Sequence, residues 1–144
     1  MVCRDRPFDT VYIDPKGSAW IGGNSCPTDD LPPLKLVTDD QLLKFTADGE
    51  FVMQIGRSNQ SRGNADTANL HRPSDAYYYA PTNEIFISDG YGNHRVVVFD
   101  ADSAAFKRTW GAFGSAPQDD DHCELVAKDD GSCFTDRCRW LVWP

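Results

Sequence analysis

Apolar residues in this chain come in short runs broken by turn-forming residues, and helical spacing is almost absent. The runs include Thr10 to Ile13, Phe51 to Ile55, Tyr77 to Tyr79, Ile85 to Ile87 and Val96 to Phe99. The best helical spacing, near Asp39 to Phe45, is short and continues directly into strand-like residues. Several runs are continuous rather than alternating, which predicts sheets covered on both faces. The punctuation fits an all-β chain. Asp48-Gly49 lies between two apolar runs and predicts a two-residue hairpin turn with positive φ. Asp130-Gly131 is a second such pair, and Pro15-Lys16-Gly17 and Pro81-Thr82-Asn83 occupy equivalent points between runs.

That equivalence extends to an internal repeat. Pro7 to Ile21 aligns without a gap on Pro73 to Ile87, at an offset of 73 − 7 = 66, with Pro, Asp, Tyr, Pro and Ile recurring in place. Leu42 to Asp48 aligns on Val96 to Asp102 at an offset of 96 − 42 = 54. The difference, 66 − 54 = 12 residues, is an insertion in the first repeat around Cys26 to Val37, where Pro27, Pro32 and Pro33 exclude a regular strand. Ile55-Gly56 and Trp110-Gly111 close the two units. The first unit predicts strands at Pro7–Asp14, Ser18–Gly22, Gln41–Thr46 and Glu50–Gly56. The second predicts them at Pro73–Ala80, Glu84–Asp89, Arg95–Asp100 and Ala105–Gly111, with Phe86 equivalent to Trp20.

Four strands in about 40 to 45 residues is the size of a β-propeller blade. The expected organisation across residues 1–144 is a blade at 7–56 with an insertion at 23–40, a blade at 73–111, and a partial blade at 122–144. The polar stretch Ser58 to Asn69 between them reads as a rim loop. A propeller ring takes at least four blades or so. This chain therefore reads as a fragment of a longer ring, with the remaining blades missing and large apolar faces left open.

Composition narrows the function classes. Hydrophobic residues make up 40% of the 144, too many for a disordered chain. The net charge of −8 disfavours nucleic acid as a partner, because an acidic surface repels phosphate. No run approaches the roughly 20 apolar residues of a membrane helix, and the first residues lack the apolar centre of a signal peptide. No compartment follows from this. The five cysteines, an odd and irregularly spaced set, read as free or buried thiols. Neither they nor the Asp119-Asp120-Asp121 cluster has the spacing of a zinc knuckle or a calcium loop.

The segment Ile85 to Asp100 carries Asp89-Gly90-Tyr91-Gly92-Asn93-His94-Arg95 between two apolar strands, the second ending in Phe99. It resembles the NHL-repeat signature. Arg72-Pro73-Ser74-Asp75 before it and Phe106 to Gly111 after it fit the same repeat. Asp and Asn suit a tight turn, and Arg95 is expected to reach carboxylates of the neighbouring blade. The resemblance implies an all-β, six-bladed propeller and is similar, more distantly, to peptidyl-α-hydroxyglycine amidating lyases. In that family a central channel holds zinc on three His, with a catalytic Tyr and substrate-binding Arg residues. Carried over residue by residue, Tyr91 falls on the catalytic Tyr, His122 on a zinc His and Arg137 on a substrate Arg, whereas Phe8 replaces a second zinc His. The resemblance thus implies two functions. One is a non-catalytic scaffold for a protein or peptide ligand, favoured for this chain, with no cofactor in the chain itself. The other is a zinc-dependent lyase in a full-length parent, with Tyr91, His122 and Arg137 converging on one face.

Overall fold

In a computed structural model, residues 10–23, 40–119, 126–127 and 133–134 are described, and their strands form two four-stranded sheets and one short pair. The first sheet runs β1 (Thr10–Ile13), β2 (Ala19–Gly22), β3 (Leu42–Phe45) and β4 (Phe51–Ile55). The second runs β5 (Asp75–Tyr79), β6 (Glu84–Asp89), β7 (Arg95–Asp100) and β8 (Phe106–Trp110). Each sheet is antiparallel throughout and keeps chain order, so each strand pairs with its sequence neighbour. A two-residue pair, β9 (Val126–Ala127) with β10 (Cys133–Phe134), lies inside the expected partial blade. The chain is all-β among its described residues, and the helix-like spacing near Asp39 to Phe45 is strand β3. Alternating burial of Leu42 and Lys44 against Leu43 and Phe45 follows the period of two that a strand imposes.

The two sheets stack face to face through one core. Trp20, Leu42 and Ile55 of the first meet Ala76, Tyr78, Ile85, Ile87, Val97 and Phe99 of the second, with Leu70 from the connecting loop. Burying such side chains contributes on the order of 1.5–3 kcal/mol each. A polar clasp ties the sheets together at the end that carries the hairpin turns. Lys44 lies over the Trp20 ring, 4.9 Å from its centroid, and its Nζ donates to the Ala101 carbonyl at 2.8 Å. Lys16 donates to Asp102 at 3.0 Å and to Asn83 Oδ1 at 2.8 Å, and the Tyr78 hydroxyl donates to the same Asn83 oxygen at 3.0 Å. The Asp102 partner raises the Lys16 ammonium above its ordinary value, and the Lys16 hydrogen bond lowers the Asp102 carboxyl.

Strand pairing confirms both offsets across β2 and β3. Trp20 pairs with Lys44 as Phe86 pairs with Val98, and Leu42 pairs with Ile55 as Val96 pairs with Trp110. The gapless alignment of the first hairpin needs a correction of one residue. Tyr12 pairs with Trp20, but Tyr77, not Tyr78, pairs with Phe86. Five residues separate the paired Ile13 and Ala19, whereas four separate Tyr79 and Glu84. The shorter turn is a 3-10 turn over Ala80–Thr82 that ends on Asn83 in the left-handed region. The turn at Asp48-Gly49 also differs from the two-residue form. Thr46 N–H donates to the Glu50 carbonyl, enclosing Ala47, Asp48 and Gly49, and only Gly49 takes positive φ, at 85°. This is a three-residue hairpin with its glycine where the left-handed residue must sit.

Candidate functional site

Strand direction places three connections at one end of the sheets: β2 to β3, β4 to β5, and β6 to β7. The last is the Asp89 to Arg95 turn. Asp89 and Arg95 are both fully buried and paired at 2.9 Å. The Arg95 guanidinium also donates to the backbone carbonyls of Asn64 (2.8 Å), Asp66 and Asn69 (2.6 Å). Its partners are therefore a carboxylate of its own sheet and the carbonyls of the inter-sheet loop, rather than carboxylates of the neighbouring blade. The reason is proximity: the loop passes over the Arg95 end of β7, and its carbonyls there need donors.

Asp89 is shared three ways. One oxygen accepts the His71 N–H at 2.8 Å, and the other accepts Asn93 Nδ2 at 2.7 Å as well as Arg95. Gly92 is required by contact, since a Cβ there would collide with both the ring and the backbone carbonyl of His71. Asp40, also buried, anchors the same loop from the first sheet by accepting the N–H groups of Asn59 and Arg72. Within the loop, burial pushes the Asp66 carboxyl up. Hydrogen bonds from Ala68, Asn69 and Arg62 outweigh that and leave it below its ordinary value. Asp40 and Asp66 have no motif of their own, and sequence reasoning missed them. The signal for Asp66 was only its place in a Gly- and Asn-containing loop, and that for Asp40 only its place just before β3.

Tyr91 stands on top of this frame. Its backbone N–H donates to the Arg72 carbonyl, and its side chain is 48% exposed. His122, Arg137 and Phe8 lie outside the described residues, as do the insertion at 24–39 and the Asp130-Gly131 turn. Among the described residues no three His, Cys, Asp or Glu side chains assemble into a metal site. His71 packs its ring against Gly92. The described residues by themselves therefore do not fit zinc.

Two blade-like sheets of identical strand order, stacked on one core and latched by an Asp–Asn–Arg turn, define an all-β repeat protein of propeller-blade type. Residues 70–99 match the NHL repeat. That span runs from Leu70 through the Asp89–Arg95 turn to Phe99, so the match to this repeat lies on the connecting loop and the first three strands of the second sheet. A search of curated proteins finds no match to the chain.

Proposed function

We infer that this chain is a binding scaffold that presents the loop end of its blades to a protein or peptide ligand. The observation that carries this is the division of labour at that end. Asp89, Asn93 and Arg95 are buried and used in holding the loops, which leaves Tyr91 displayed on a rigid frame. An exposed aromatic on a fixed backbone gives contact area at little entropic cost, as binding anchors do. The connection between Gly22 and Leu42, the long one in the first blade, opens at the same end. Long connections on rigid sheets are where recognition residues concentrate.

The test is selection of a displayed peptide library on the full chain, followed by affinity measurement with Tyr91→Ala. Selected peptides should lose about tenfold or more in affinity, about 1.4 kcal/mol. Failure to select any binder, or binders indifferent to Tyr91→Ala, would remove this reading. Tyr91 also supports a second one. An exposed phenol at a loop face is what a general base needs in order to reach a substrate. In a complete six-bladed parent, His122 would contribute to a zinc site and Arg137 would bind a substrate carboxylate. Zinc there would polarise the substrate oxygen. Metal analysis of a full-length parent separates the two.

A further inference from the structure

Among the described residues, the two outer faces of the stack are chemical counterparts of the two faces already joined in its core. Strand pairing makes Val11 equivalent to Ala76 and Ile13 equivalent to Tyr78. Ala76 and Tyr78 are 6% and 4% exposed in the core, whereas Val11 and Ile13 are 66% and 59% exposed. Across the same face Ile21, Leu43 and Phe45 correspond to Ile87, Val97 and Phe99. The first sheet thus turns outward the same aliphatic and Phe surface that the second sheet uses to receive it.

The opposite end of the stack repeats the relation with the roles exchanged. Trp20, fully buried against the second sheet, corresponds to Phe86, which lies half-buried on the outer face over the buried Val98 and beside the exposed Tyr77 and Tyr79. Lys44 caps the Trp20 ring at 4.9 Å, and Arg108 caps the Phe86 ring at 5.3 Å. Trp20 and Phe86 therefore each carry a cation, and the core shows that the Trp20 face packs on an Ile, Val and Phe surface. A knob face at one end and a socket face at the other form a heterologous pair. Heterologous pairs close into rings or run on as filaments.

We propose that a second copy of this chain docks head to tail, with the Tyr79–Phe86 face of one copy on the Val11–Ile13 face of the next. The occupant follows from continuity with the interface inside the chain, because each open face already has its matching face on the same molecule. Repeats that contact only their neighbours propagate this way.

The experiment uses the full chain and two single variants, Val11→Asp and Tyr79→Asp, each placing a carboxylate on one open face. Light scattering after size exclusion should show wild type associating with rising concentration and each variant monomeric. Mixed in equal amounts, the two variants should form a dimer and stop there, because each retains the one face the other needs. A folded wild type that stays monomeric at every concentration overturns the proposal, and the faces then belong to blades from outside this sequence. Variants that still self-associate as wild type does, or a mixture that stays monomeric, overturn it equally. Circular dichroism of each variant separates a lost contact from a lost fold, and dimer formation in the mixture itself requires both to be folded.

Discussion

Arg95 is the residue on which the loop end depends. Its charge is buried with that of Asp89, and its remaining donors satisfy carbonyls that would otherwise lack partners. Arg95→Met keeps the bulk and removes the charge, stranding a buried carboxylate. It should destabilise by about 3–5 kcal/mol, the usual consequence of breaking one half of a buried pair, as read by urea denaturation. Tyr91 behaves in the opposite way. It is exposed, so Tyr91→Ala should change stability by no more than about 0.5 kcal/mol while still affecting ligand binding. That separation makes Tyr91 usable as a functional probe. Asp14 is a further buried group, accepting Trp20 Nε1 at 3.0 Å and the N–H groups of Lys16 and Ser18. Asp14→Ala should cost about 1–3 kcal/mol by leaving the buried indole N–H without an acceptor.

At the scale of elements, β6 and β8 are joined across β7 by Glu84 and Arg108. The guanidinium makes two hydrogen bonds to the carboxylate, at 2.7 and 2.8 Å, and chiefly through them the Glu84 carboxyl is lowered to about 2. A carboxyl whose folded value lies below its unfolded value stabilises the fold above the unfolded value. That contribution is lost as pH falls from about 4.5 toward about 2. Urea midpoints should show Arg108→Met less stable than wild type at pH 6, with the gap closing as pH falls through that window. Arg108 is half exposed, so the gap itself should be small.

The hairpins show how much of an element can be read from residues alone. β6 and β7 occupy the expected Glu84–Asp89 and Arg95–Asp100, because apolar runs bounded by Asp, Gly and Asn leave little choice of ends. The one-residue difference between the first hairpins of the two blades was not legible. Both carry Pro and a turn residue at aligned positions, and whether the turn encloses five residues or four is decided by hydrogen bonds that close only in space.

For the whole molecule, metal content is the sharpest check on chemistry. With Phe8 at one expected ligand position and His122 the single match, titration of the purified chain should show zinc bound weakly or not at all. Tight, stoichiometric binding would revive the lyase. No helix among the described residues is long and apolar enough to cross a membrane.

Pattern and repeat determined the strands, their order and the Asp–Asn–Arg turn, because strand period, turn chemistry and loop length are local properties of neighbouring residues. Tertiary structure alone decided which way each blade faces. Trp20 and Phe86 sit at the same place in the repeat, yet one is fully buried in the core and the other half-buried on the outer face. It also chose the partners of Arg95, since the carbonyls of Asn64, Asp66 and Asn69 lie 26 to 31 residues away in sequence. Burial and long-range hydrogen bonds depend on what packs against a surface, and a residue's own neighbours in the chain do not carry that information.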